Sequence, residues 1–313
     1  MRRFTALPVA ALALLLAGCA ARGPHASAGR AAQTYVNPVL DRDFPDPALL
    51  KAPDGSWYAY ATQGLGPAGQ ANIQLARSPD LVNWTHLGDA LPRKPVWART
   101  TQDFWAPDIR ARDGRYFLYF SARPDPAPGG GEAGLCLAVA TADMPEGPFI
   151  DSGRPLLCSG GFEAIDPFAF DDPVTGKRLL YWGSGFGPIK VQELAADGLG
   201  FAPGSRPIDL VHPVAEAAPG NYQRLVEAAT VLLHEGWYYL LFSGDNCCGA
   251  DAHYAVMAAR SRSATGPFET LAEVTGRADS VILKRSGRWM APGHTSAVQD
   301  SAGDWWLVYH AID

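Results

Sequence analysis

Sustained helical periodicity is absent from this 313-residue chain once its N-terminal leader is passed. An amphipathic helix writes apolar residues at a 3.6-residue period, so a helical architecture is excluded. Basic residues are also short, 26 Lys and Arg against 32 Asp and Glu. Such an acidic balance argues against nucleic acid or anionic lipid headgroups as partners. Cysteine is scarce, five in all, and no histidines gather at ligand spacing around them, which argues against a zinc site. The one long apolar run, Leu7 to Leu16, is far below the roughly 20 residues that span a bilayer. What the chain does have is turns and core: 33 Gly and 26 Pro, with 47% hydrophobic and 11% aromatic residues. That composition implies many short elements around a large buried interior.

The N-terminus reads as a targeting segment. Arg2 and Arg3 precede the apolar run, and Leu16-Ala17-Gly18-Cys19 closes it. The last four residues resemble a bacterial lipoprotein box, in which the cysteine thiol is acylated after cleavage. The expectation is a signal peptide over 1–19 with Cys19 lipidated, a flexible tether over 20–33 and a folded body over 34–313. Several acyl chains on Cys19 would anchor the protein stably, giving an exported lipoprotein at the outer membrane or a periplasm-facing membrane surface. Contact with the membrane is then only through the lipid, and the body is expected to be monomeric. Cys136, Cys158, Cys247 and Cys248 remain. Export permits disulfides, with Cys136–Cys158 a candidate bridge and Cys247-Cys248 either a vicinal disulfide or two free thiols.

A motif recurs along the body: a Gly turn, then an aromatic β-type run ending in a small or polar residue. It stands as Gly55 to Thr62, Gly114 to Ser121, Gly176 to Gly183, Gly236 to Ser243 and Gly303 to His310, the glycines 59, 62, 60 and 67 residues apart. Each motif follows a shorter apolar run across a hairpin turn, Asp54-Gly55 and Asp113-Gly114 being the strongest of these turns. Third and fourth strand candidates follow in the first four repeats, the fourth repeat's last being Phe268 to Glu273. Four short antiparallel strands every ~60 residues describe an all-β, five-bladed β-propeller. A β-sandwich has no reason to repeat an aromatic second strand five times. The fifth blade has room for only two strands before Asp313, so an incomplete blade and a fragment of a longer chain are expected.

In a propeller the first strand of each blade lines the axis, and its leading residue sits at one mouth. Those positions are Asp46, Asp108, Asp166, Glu227 and His294, separated by 62, 58, 61 and 67 residues. Four carboxylates and an imidazole crowded together cost stability and shift pKa values, an arrangement kept for chemistry or a cation more often than for structure. Asp46-Pro47 and Asp166-Pro167 taken singly would be turn starters. Asp108 has two readings, a bond to neighbouring backbone or a substrate contact. Trp105 suits stacking on a sugar ring, and carboxylates beside aromatics are the usual composition of a glycoside-cleaving site.

The ordered set Asn37-Pro38-Val39-Leu40, Phe44-Pro45-Asp46-Pro47, Trp105-Ala106-Pro107-Asp108, Ile165-Asp166-Pro167, Val226-Glu227 and Ala291-Pro292-Gly293-His294 resembles glycoside hydrolase family 43. The resemblance implies a five-bladed propeller that cleaves arabinan, arabinoxylan or related oligo- and polysaccharides with inversion. It implies Asp46 as general base, Glu227 as general acid and Asp166 as the residue that raises and orients the acid. Trp105, Asp108 and His294 would contact substrate. No cofactor is required, although His294 matches a residue that lies beside an axial calcium or other ion. Many relatives carry Gly-Pro after the acid where this chain has Ala228-Ala229, and Asp43 stands near Asp46 as a rival base. A β-xylosidase is the nearest alternative, and a non-catalytic glycan-binding propeller is the alternative from another class. A retaining fructan or sucrose hydrolase would show Asn-Asp-Pro-Asn and Glu-Cys segments, and neither occurs.

Overall fold

The aromatic motif has a simple cause in the structure: in the first four repeats it is the strand packed on both faces, while in the fifth Trp305 and Leu307 leave one face exposed. The computed structural model describes residues 34–126, 133–214, 216 and 220–313; Cys19, the leader and the tether lie outside these residues. In the strand Arg115–Ala122, Tyr116, Leu118 and Phe120 pack into a core shared with the first repeat. Phe117 and Tyr119, on the other face, pack into a core shared with the third. Strand side chains alternate between faces, and here neighbouring sheets cover both. Arg178–Trp182 does the same, Leu180 and Trp182 facing the second repeat and Leu179 and Tyr181 the fourth. Each such side chain contributes about 1.5–3 kcal/mol of burial.

A tyrosine five residues after the motif glycine in the first three repeats ties each sheet to the next. Tyr119 Oη donates to the Gly198 carbonyl at 2.9 Å and Tyr181 Oη to the Ala264 carbonyl at 2.6 Å, while Tyr60 Oη donates to the Pro145 carbonyl. A buried phenol needs such a partner.

Within Asn37–Asp313 the sheets are the blades of a propeller. Blade 1 contains Ala48–Lys51, Trp57–Ala61, Gln74–Ser78 and Thr85–Asp89 in antiparallel order. Blade 2 has Phe104–Arg112, Arg115–Ala122, Cys136–Ala142 and Ile150–Asp151, blade 3 Phe168–Asp171, Arg178–Trp182, Ile189–Glu193 and Ile208–Val211. Blade 4 has Val226–His234, Trp237–Asn246, His253–Ser261 and Glu269–Thr270, and blade 5 the pair Met290–Gln299 and Trp305–Ile312. Blade 5 closes on blade 1 by packing Val298, Trp306 and Val308 against Leu49, Trp57 and Leu81. Ser296 Oγ also donates to the Pro47 carbonyl at 2.7 Å.

The first strands line the axis. Leu49, Arg110, Phe168, Val231 and Val298, one from each blade, surround a cavity of about 390 Å³ in the axial channel. One expected strand is not a strand throughout. Residues 268–273 divide into Glu269–Thr270 and the short helix Leu271–Thr275. Thr270 accepts the Glu273 N–H and Glu273 caps the Thr270 N–H, a capping box that starts a helix where the alternation alone suggests a strand.

Cys136 and Cys158 are opposed across the third strand of blade 2 and bonded, with 4.0 Å between Cα atoms and 22 residues of separation. Closing a loop of that length contributes about 3 kcal/mol on the chain-entropy account. Cys247 and Cys248 are bonded to each other in the loop after the second strand of blade 4.

Candidate active site

The mouth of the axis is built by a repeated backbone feature. Asp46, Ala106, Asp166, Ala228 and His294 all have left-handed φ, at 57°, 47°, 57°, 57° and 47°. Each costs a non-glycine residue about 1–2 kcal/mol, and such strain gathers at functional sites.

The residue that ends the motif seven positions after its glycine holds this backbone from the preceding blade. The Ala106 N–H donates to Thr62 Oγ1 at 2.7 Å, the Asp166 N–H to Ser121 Oγ at 3.2 Å and the His294 N–H to Ser243 Oγ at 2.9 Å. The ring closes with the Asp46 N–H donating to His310 Nδ1 at 3.1 Å. Between blades 3 and 4 the equivalent residue is Gly183, and the Ala228 N–H is taken instead by Asp166 Oδ2 at 3.0 Å. A side chain at Gly183 has no room, since a Cβ there would meet the Pro188 carbonyl oxygen at 2.6 Å.

Of the five expected positions only Asp108 lies off the mouth, and in two blades the left-handed residue is a neighbour of the acidic one. The left-handed residue is Ala106 rather than Asp108 in blade 2, and Ala228 rather than Glu227 in blade 4. The pairing slips between Trp105 and Asp108, between Glu227 and Thr230, and in blade 5 on both sides of Gly293. Asp108 lies in the channel wall, 5% exposed. Its Oδ2 accepts the Ala169 N–H at 2.8 Å and its Oδ1 lies 3.3 Å from Arg110. The first of its two expected roles, a bond to neighbouring backbone, is made to Ala169 of the next blade. Burial pushes its carboxyl up to about 6 against the opposing pull of Arg110.

Asp46, Asp166, Glu227 and His294 meet at the mouth. His294 Nδ1 lies 3.1 Å from Asp46 Oδ1 and 3.9 Å from Asp166 Oδ2. Thr62 Oγ1 donates to Asp46 Oδ2. Glu227 is held at both oxygens, Tyr254 Oη donating to Oε1 at 2.8 Å and Ser184 Oγ donating to Oε2. The rival Asp43 is exposed on the surface. Trp105 is half-buried and stacks on Phe162, ring planes 7° apart and centroids 6.1 Å apart. At the blade 4 rim beside the Cys247–Cys248 loop, Tyr222 stacks on His253 at 4.1 Å, and His253 pairs with Asp245 at 2.8 Å.

These surroundings drive the carboxyls apart. Burial would raise Asp46, but His294 first, and the nearby His310 after it, outweigh this and hold Asp46 well below the usual carboxylate range. Glu227 is pushed up by burial, reinforced by the Asp46 charge and opposed by Ser184, Tyr254 and His294. Burial also carries Asp166 well above its ordinary value, with His294 opposing and the Glu227 and Asp46 charges adding to the rise. His294, which burial alone would neutralise, is lifted to about 9 by Asp46 and Asp166. The arrangement is one carboxylate held low beside an imidazole, next to two carboxyls whose proton affinity is raised, the pattern that separates a base from an acid.

The family description "Glycosyl hydrolases family 43" matches residues 35–313. The chain belongs to this family. It is similar to the extracellular endo-α-(1→5)-L-arabinanase 1 of Bacillus subtilis (strain 168), 29% identical over 282 residues covering 86% of this chain and 80% of the relative. It is likewise 29% identical to the extracellular exo-α-(1→5)-L-arabinofuranosidase of Cellvibrio japonicus (strain Ueda107) over 296 residues, 87% of this chain and 79% of that one. Its fold matches the crystal structure of a thermostable family-43 glycoside hydrolase with a TM-score of 0.71 and 27% identity, over 89% and 87% of the two chains.

Three side chains of this family-43 mouth escape a reading of the sequence: Ser184, Tyr254 and His310. Ser184 and Tyr254 stand on the second and third strand ends, whose residues carry no register mark. His310 does carry one, being the fifth counterpart of Thr62, but its place in a core-forming motif conceals it. Tyr254 reaches Glu227 because residue 293 is glycine; a Cβ there would lie 2.0 Å from Tyr254 Cδ1. Among the described residues no group of three or more His, Cys, Asp or Glu side chains is arranged to hold a metal ion. The mouth's imidazole is engaged with Asp46, and its three carboxyls already accept protein donors. That set does not by itself supply the roughly six to eight oxygens calcium takes.

Proposed function

We propose that this protein is an inverting glycosidase that cleaves α-L-arabinofuranosyl linkages in arabinan or arabinoxylan. The supporting observation is the split environment of the mouth: Asp46 paired to His294 and held ionised, Glu227 buried and pushed toward its protonated form. In this reading Asp46 takes a proton from water as that water attacks the anomeric carbon, and Glu227 gives its proton to the departing glycosidic oxygen. Asp166 anchors the turn after Glu227 through the Ala228 N–H and shares the acid's buried, negative surroundings. Trp105 and Phe162 offer an aromatic face at the rim. Family membership and the arabinan-directed names of the relatives above support the substrate class. Linear arabinan, sugar beet arabinan, arabinoxylan and xylo-oligosaccharides form the test set, and release from the arabinans is expected. Proton NMR of the first product should show the inverted anomer; a retained anomer, or cleavage of xylo-oligosaccharides alone, would overturn the reading.

The same proposal places the enzyme on a lipid anchor at Cys19. Cys19→Ser should move it from the membrane fraction to the soluble exported fraction, and an unchanged membrane association would remove the anchor.

A further inference from the structure

Four of the five blade junctions at the mouth share one device, a side chain at the end of a second strand accepting the N–H of the next blade's left-handed residue. Three use a hydroxyl. The fourth, the junction that closes the ring onto Asp46, uses the imidazole of His310. The hydroxyls show that accepting the bond does not require a ring, so the ring calls for a second reason.

That reason lies on its face. His310 stacks parallel to Tyr254, planes 7° apart and centroids 5.9 Å apart, and Tyr254 Oη donates to Glu227 Oε1 at 2.8 Å. One side chain therefore touches the backbone of Asp46 and the aromatic ring that holds Glu227. The Asp46 N–H points at Nδ1 at 3.1 Å, a bond that requires Nδ1 to present its lone pair and the ring proton to be on Nε2. Asp46 Oδ1 approaches the same nitrogen at 3.3 Å, and the two contacts compete, since the first needs a bare Nδ1 and the second a proton there; with the first made, Oδ1 is no partner of His310. The carboxylate is left to His294 at Oδ1 and Thr62 at Oδ2.

We propose that His310 is a positioning residue that, bare at Nδ1, fixes the backbone of Asp46 and, through the stacked Tyr254, sets the spacing between Asp46 and Glu227. The proposal rests on the glycosidase reading, because single displacement needs room for one water between the two carboxyls. Ring closure and assembly of the site are then one event, since blade 5 supplies the group that places the residue leading blade 1.

Two measurements test it. In the full chain, ¹⁵N NMR of the His310 imidazole at neutral pH should show a proton on Nε2 and none on Nδ1; a proton on Nδ1 overturns the proposal whatever the enzyme hydrolyses. In kinetics, His310→Ala should lower kcat at least about tenfold on both linear arabinan and a 4-nitrophenyl arabino-oligosaccharide with KM changed less than about threefold, the scale of a misplaced reacting group. His310→Asn puts an amide oxygen where Nδ1 stood but has no ring. It should recover most of kcat on the aryl substrate, whose leaving group needs no proton, and much less on arabinan. A merely structural loss would lower both alike. Ser301→Ala, which removes the exposed Lys51–Ser301 contact between blades 1 and 5, should leave both rates unchanged. A His310→Ala enzyme within about twofold of the parent in kcat, or an Asn variant as slow as the Ala variant on the aryl substrate, overturns the positioning role. A parent protein that releases no sugar from either substrate overturns the arabinofuranosidase reading instead, and the NMR measurement still decides whether Nδ1 is bare.

Discussion

Glu227→Gln is expected to cut turnover of linear arabinan by at least about 100-fold while leaving sugar binding nearly intact, the usual scale for loss of a general acid. The amide keeps the shape and can still meet Tyr254 and Ser184, but it has no proton to give. From a 4-nitrophenyl arabino-oligosaccharide, 4-nitrophenolate departs without protonation, and this substrate should be hydrolysed at close to the parent rate. Equal loss on both substrates would take the proton-donor role away from Glu227. The pH profile carries the same information. The acid works only while protonated, so activity is lost as pH rises through its folded value, which burial places above the ordinary range. That alkaline limb should disappear from the variant's profile on the aryl substrate. The acidic limb belongs to Asp46, held low by His294, and should survive unchanged.

Asp46→Asn is expected to be the more damaging change, slowing arabinan and the aryl substrate alike by about 1000-fold, within the range for a general base. No leaving group, however good, replaces the deprotonation of the attacking water. The variant also removes the largest influence raising His294, so the imidazole should titrate below its present value of about 9. Following the His294 ring protons by NMR between neutral and alkaline pH measures this directly and does not depend on turnover. A variant retaining more than about a tenth of parent activity on the aryl substrate would exclude Asp46 as base. The pairing also bears on stability. A raised imidazole contributes most below its unfolded value and loses that contribution as pH rises through about 9. A depressed carboxylate contributes above its unfolded value and loses that contribution as pH falls through its folded one. The Asp46–His294 pair therefore steadies the mouth across the neutral range between those limits.

The motif from glycine to terminal residue could be read without coordinates because it recurs, and recurrence in a propeller reflects one packing problem solved five times. A second strand covered on both faces must be apolar at every interior position, and Tyr116 to Phe120 shows it. The tyrosines at the fifth position and the polar ends at the seventh were visible as letters, but not as bonds to the next blade. Asp46, Asp166, Glu227 and His294 stand at the mouth as their spacing predicts, and Asp108 lies in the wall. The first strands of blades 2, 4 and 5 all carry bulges, and a bulge leaves no period in a sequence, so the left-handed positions Ala106 and Ala228 were not legible from the spacing.

The sequence by itself determined the blade: its strands, its turns, its two apolar faces and the carboxyls that lead three of the first strands. These depend on contacts between residues close in the chain or on a repeated burial pattern, both of which leave a period of 2 or of ~60 residues. Only the tertiary structure decided the company each carboxyl keeps. Asp46 meets His310 across 264 residues and Glu227 meets Ser184 across 43, partners brought together by ring closure and by neighbouring blades. The chemistry expected of the mouth depends on those partners, because a carboxyl's proton affinity is set by its surroundings rather than by its place in the chain.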